Sequence, residues 1–227
     1  MAKETNNETR TTIDDINDSL VGIEQKVQNN KKGIAWACVA VAAVVCLVLI
    51  YVYAIRQPGI AAANDAIGQA DMSTLAGNDS IALAQYKQVA DEYGYEAGNR
   101  AALNAAIILY KDGKYQEALD YLKKYDGNET IIGASARSLE GDCYVNLKQY
   151  DQAVSCFADA AKISDNNPAY TPVFLMKEAT VLREMKDYKR EAAIYQEIID
   201  NYPNYGPSIQ VDMEKYLKRA QIAAGEE

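Results

Sequence analysis

Residues Gly33 to Ile55, GIAWACVAVAAVVCLVLIYVYAI, run for 23 positions without a charge in a chain that otherwise mixes polar and apolar residues closely. The run is apolar on every side, not along one stripe. At 1.5 Å rise per residue, about 20 such residues cross a bilayer core of about 30 Å. Trp36 lies near one end and Tyr51 and Tyr53 near the other, where amphipathic rings suit two membrane interfaces. The pattern predicts a transmembrane helix over 33–55. A buried core helix would need a domain wrapped around it, and the 32 residues ahead are too few and too polar to supply one.

Those 32 residues form a separate tail. Residues 1–9 carry no large apolar side chain except the initial Met. Ile13, Ile16, Leu20, Ile23 and Val27 then recur at spacings of 3, 4, 3 and 4, an a/d stripe over about two heptads. Two readings stay open: a helix that makes a homodimer or docks a partner, or an amphipathic helix lying on the membrane. The tail's six acidic residues oppose strong attachment to anionic lipid. Beyond the span, Gln57-Pro58-Gly59 predicts a break and a linker over 56–60. Ala61-Ala62-Ala63 offers a cleavage site, but an uncleaved signal anchor better suits so long a segment.

From residue 61 to 224 the apolar pattern repeats. Ala82-x3-Tyr86-x2-Val89, Tyr115-x2-Ala118-x3-Leu122, Tyr150-x2-Ala153-x3-Phe157-x2-Ala160 and Tyr188-x6-Tyr195-x2-Ile198-x4-Pro203 align. Their large residues at 86, 122, 157 and 195 are 36, 35 and 38 positions apart. Helical stretches at 101–110, 134–147 and 174–185 precede the last three, each joined by a short turn. Residues 61–76 read as the first helix of a leading partial repeat. Pro207 to Ala223 reads as a terminal helix with Val211, Tyr216 or Leu217, and Ala220 inward and Glu214, Lys215, Lys218 and Arg219 outward, as a solenoid cap requires. The predicted fold is all-α: three full repeats, one partial repeat and a cap after one transmembrane helix.

Gly113-Lys114-Tyr115-Gln116-Glu117-Ala118 and Gly141-x2-Tyr144 followed by Tyr150-x2-Ala153-x3-Phe157-x2-Ala160 resemble the tetratricopeptide repeat (TPR). Glu191 stands where that repeat has a small residue, and Lys148 and Lys186 replace its turn glycine. The order of tail, span and compact repeat domain ending in KYLKRA is similar to the YfgM-like family of membrane-anchored TPR proteins, in its Bacteroidetes-type form. Tyr86-x6-Tyr93, Gly98-Asn99, Gly141-Asp142, Asn167-Pro168 and Arg219-Ala220 carry that likeness, over about residues 30–223. It implies a periplasmic domain, and as partners the SecYEG translocon, periplasmic chaperones or nascent secreted chains.

The TPR resemblance also implies a partner groove lined by the first helix of each repeat. Arg100, Leu103, Ile107, Tyr110 and Lys111 would face it from the first full repeat. Ser135, Ser138, Asp142, Val145 and Asn146 follow from the second, and Met176, Lys177, Thr180 and Arg183 from the third. Leu103 and Ile107 stand where a two-carboxylate clamp needs Lys and Asn, so an apolar peptide suits the groove better. Packing inside the solenoid is the alternative for the same side chains. Asp79-Ser80-Ile81 resembles a Bacteroidetes O-glycosylation motif, and equally suits a helix start.

Charge and composition narrow the chemistry. Lys31 and Lys32 adjoin the span on one side, with Lys26 behind them, against Arg56 alone on the other. That excess predicts a cytoplasmic N-terminus and a C-terminal domain on the far side of the membrane. The YfgM-like resemblance implies that the membrane is a bacterial inner membrane and the far side the periplasm. The chain has no histidine and a net charge of −9, −8 of it after residue 32. Nucleic acid is therefore a poor partner, and no His-based catalysis or metal site can form. No phosphate loop, nucleophile elbow or metal spacing occurs, so the reading is a non-enzyme with no cofactor. It is an adaptor in protein interactions, or alternatively a scaffold of envelope or division complexes that self-associates through its tail. Cys143 and Cys156 could be bridged outside the cell, but two buried thiols are preferred.

Overall fold

The computed structural model describes residues 30–127 and 129–225, and they divide into two units at Pro58/Gly59. The heptad stripe Ile13, Ile16, Leu20, Ile23 and Val27 lies outside the described residues. In the first unit, α1 spans Lys31–Ile50 and is followed by a π-helical turn, Tyr51–Arg56. None of the side chains of α1 is buried, and the helix is long and apolar enough to cross a membrane.

The break expected at Gln57-Pro58-Gly59 is absent, because all three residues are helical and α2 runs Gln57–Leu75. The π turn explains how. Proline has no N–H to donate, and in an α-helix its ring presses on the carbonyl four residues back. Here the Gln57 N–H bonds to the Val52 carbonyl, five residues back, and the widened turn makes room just ahead of Pro58.

In the second unit the helices pair off. They are α3 (Asp79–Glu92), α4 (Glu96–Lys111), α5 (Tyr115–Leu122), α6 (Ile132–Asn146), α7 (Tyr150–Ile163), α8 (Thr171–Glu184) and α9 (Tyr188–Asn201). The short α10 (Tyr205–Ser208) and the cap α11 (Met213–Ala224) follow. The described residues contain no strand. The leading repeat is therefore a full hairpin, α2 with α3. The terminal helix begins at Met213 and not at Pro207, because the Asp212 carboxylate caps it by accepting from the Lys215 N–H at 3.1 Å.

Four turns share one geometry. Gly77, Gly113, Lys148 and Lys186 all have left-handed backbones, with φ of +74°, +76°, +60° and +62°. In each, two backbone N–H groups return to the end of the preceding helix: Asn78 to Ser73 and Gly77 to Thr74, Lys114 to Leu109 and Gly113 to Tyr110. Gln149 to Tyr144 with Lys148 to Val145, and Asp187 to Leu182 with Lys186 to Arg183, repeat the pattern. This pair of bonds closes a Schellman motif and satisfies carbonyls that the helix end leaves free. The large residue comes nine positions after each turn residue, at Tyr86, Leu122, Phe157 and Tyr195, and all four are buried.

Between turn and plug, five positions after each turn residue, the first three hairpins place the fully buried Ala82, Ala118 and Ala153. Gly141 of α6 meets Phe157 so closely that an added Cβ would lie 2.6 Å from its ring. Helices α3 to α9 each pack on their neighbours in sequence, α9 packs on the cap α11, and α4 also touches α6. The second unit is thus a row of hairpins with the first helices side by side on one face. Cys143 and Cys156 are free and buried, and burial pushes their thiols up to about 12 and about 11.

Candidate partner groove

On that face, α4, α6 and α8 enclose an open groove of about 580 Å³. Leu103 and Ile107 come from α4, Ile132, Ser135, Leu139 and Asp142 from α6, and Val173, Phe174 and Lys177 from α8. The connecting loops add Ile131, Ala169 and Tyr170. Four large side chains here stay in contact with solvent: Ile107 (36% exposed), Ile131 (41%), Ile132 (52%) and Tyr170 (39%). Hydrophobic side chains gathered in a concavity, and not scattered singly, make this the candidate partner site.

Ile107 also lines a second hollow of about 380 Å³, with Asp71, Thr74 and Leu75 of α2, Tyr86 of α3 and Asn104 and Lys111 of α4. The groove therefore continues toward the first hairpin. The exposed Lys111 has no ion-pair partner among the described residues, whereas Arg100 bonds to Asp71 at 2.7 Å. Asp71 also accepts from the Tyr86 hydroxyl at 2.6 Å, so Arg100 ties α4 to α2 and α3.

The remaining residues expected at the groove fall in different places. Lys177 is paired with Asp142 at 2.6 Å and donates to Ser138 at 3.1 Å, with its ammonium 5.5 Å from the centre of the Phe157 ring. That pair neutralises both charges across α6 and α8. Tyr110 is half-buried, packs edge-on against Tyr115, and its hydroxyl faces Asn146 and Asp142. Burial first, and then the Asp142 carboxylate, raise that hydroxyl above its ordinary value. Asn146 is exposed and donates to the Asp142 carbonyl at 2.8 Å. Met176 is partly buried against the core of α8, α9 and α11. Arg183 turns the other way, and its Nε donates to Glu191 of α9 at 2.8 Å. Ile131, Ile132, Leu139, Ala169, Tyr170, Val173 and Phe174 line the groove but are not among the residues expected there. Four of these, Ile131, Ile132, Ala169 and Tyr170, sit in or beside loops, outside the periodic pattern. The adjacent β-branched pair Ile131-Ile132 after a polar stretch was the available signal.

Among the described residues, no three His, Cys, Asp or Glu side chains gather to hold a metal ion. Residues 76–129 and 174–205 match tetratricopeptide repeat models. The fold is a TPR-like α-solenoid. A crystal structure of MamA protein superposes with a TM-score of 0.56 at 16% identity, covering 72% of this chain and 82% of that one. TPR-like repeats of a Podosopora anserina putative kinesin light chain superpose with a TM-score of 0.54 at 12% identity, covering 71% and 86%. Comparison with curated proteins returns no match. At these identities the structural likeness concerns the solenoid alone. In that solenoid the groove lies on the face made by the first helices of successive TPR-like hairpins.

Proposed function

We propose that this chain is a non-enzymatic adaptor, anchored by α1, whose solenoid holds an apolar segment of another protein. The observation that carries the reading is the cluster Ile107, Ile131, Ile132 and Tyr170, exposed together in a groove whose pair Asp142 and Lys177 is already neutralised internally. A groove of that kind rewards burial of aliphatic and aromatic side chains, at about 25 cal/mol per Å² of apolar surface, more than it rewards charge. The lysines flanking α1 support a cytoplasmic N-terminus with the solenoid across the membrane, and the resemblance makes that membrane a bacterial inner membrane with the solenoid in the periplasm. The resemblance of the whole arrangement puts the translocon, periplasmic chaperones and emerging secreted chains first among partners.

In-cell photo-crosslinking tests this directly, with the probe at Ile107, Ile132 and Tyr170 in turn. Crosslinks to translocon subunits or emerging chains from all three positions are expected. Crosslinks only between copies of this chain would replace the adaptor with a self-associating scaffold.

A further inference from the structure

The fourth hairpin, α8 with α9, departs from the other three at the position five after its turn residue. Glu191 occupies the slot that Ala82, Ala118 and Ala153 fill elsewhere, and it is 0% exposed. Its Oε1 accepts from Arg183, but its Oε2 and the Arg183 Nη2 are buried without a hydrogen-bond partner. A second buried carboxylate, Glu178 of α8, is 5% exposed. Its nearest cation is Arg190 of α9, at 3.8 Å, beyond hydrogen-bond reach. Arg190 is half exposed and also lies 3.7 Å from Asp187. Glu197 of α9 adds a like charge, and no charged group of α7 acts on Glu178 among the described residues. Two crossed Arg–Glu pairs therefore hold α8 to α9: Arg183–Glu191 leaves one buried atom unpartnered on each side, and Arg190–Glu178 stands apart at 3.8 Å.

We propose that the α8–α9 hairpin is a proton-responsive clasp, in which uptake of one proton by Glu178 tightens the fourth hairpin while the second does not respond. The second hairpin has Ala105 and Ala118 at the positions corresponding to Glu178 and Glu191, counted from the turn residue. Burial, opposed by Arg190 and helped by Glu197, raises the Glu178 carboxyl from 4.5 to about 7. An acid with a raised folded value takes up a proton on folding. The clasp is therefore tightest below the unfolded value of 4.5 and loosens as pH rises through the window up to about 7. Because α8 carries Val173, Phe174 and Lys177, loosening would reach the groove, although the clasp itself does not depend on the groove binding a partner.

The test is amide hydrogen exchange of the full chain in detergent micelles at pH 5.5 and 7.5, with α8–α9 protection read relative to α4–α5 in the same sample. One titrating proton changes the opening constant by up to about tenfold per pH unit inside its window. Relative protection is expected to fall about tenfold or more at the higher pH, and to stay level in Glu178→Gln. An unchanged ratio in the parent chain, or the same fall in Glu178→Gln, overturns the proposal. If Glu178→Gln does not fold, Arg190→Gln gives the second reading. Loss of that cation must move the transition to higher pH, and an unmoved transition also overturns the clasp.

Discussion

The second and fourth hairpins, α4–α5 and α8–α9, share a turn motif and a plug nine residues beyond it, yet fill the slot between their helices in opposite ways. Ala118 fills it with a methyl group, and Glu191 fills it with a carboxylate. The difference extends to a second position. Three residues before the turn residue stands Tyr110 in one hairpin and Arg183 in the other, and only the arginine reaches across to the slot. Turn and plug are thus shared by both hairpins, while the one charged slot takes its counter-charge from the same hairpin. The comparison separates what makes the repeat from what distinguishes one repeat from the next.

Moving the acid is the harshest way to break this contrast. Ala118→Glu buries a carboxylate opposite Tyr110 and should cost about 3–5 kcal/mol, read by chemical denaturation. Adding Tyr110→Arg should return part of that loss, and no recovery would mean that the two positions do not communicate. Removing the native partner comes next. Arg183→Met leaves Glu191 buried and unpaired, a loss of about 3 kcal/mol. Arg183→Met with Glu191→Ala should be close to the parent in stability, since a well-packed apolar pair commonly replaces a buried ion pair without loss. The turns give a smaller effect. Lys148 and Lys186 hold a left-handed backbone that disfavours side chains, so Lys148→Gly should stabilise the domain by about 1 kcal/mol. Gly113→Lys should cost a similar amount, and thermal melts would show both signs.

Much of the solenoid was legible in the sequence because its large residues sit at a fixed distance from turns that recur at the same spacing. Tyr86, Leu122, Phe157 and Tyr195 therefore announced the hairpins even where lysine replaced the turn glycine. Local rules misled where neighbouring geometry outweighed them. Pro58 reads as a helix breaker, and a π turn ahead of it absorbs the clash. Pro207 reads as the start of the last helix, but Asp212 caps the one that forms. The groove was legible on α4 at Leu103 and Ile107, and incompletely elsewhere. Arg183 shares the inner helix with groove residues, and a helix-by-helix alignment cannot see that Glu191 draws it to α9. Glu191 itself departs from the small residue of the repeat pattern, and that departure is the signal in the sequence for where Arg183 goes. Ile131 and Tyr170 were missed because loops have no period to read.

The groove variant has the smallest expected effect on stability and tests the central claim most directly. Ile107→Asp combined with Ile132→Asp places two carboxylates on side chains already exposed to solvent. We expect the melting temperature to stay within about 2 °C of the parent, as exposed substitutions rarely exceed about 0.5 kcal/mol. In the same preparations, recovery of the protein crosslinked through Tyr170 should fall at least about tenfold, the loss of more than about 1.4 kcal/mol of binding. A large drop in melting temperature would show these side chains to be core. Unchanged recovery at an unchanged melting temperature would show that the partner binds elsewhere, and would contradict the groove.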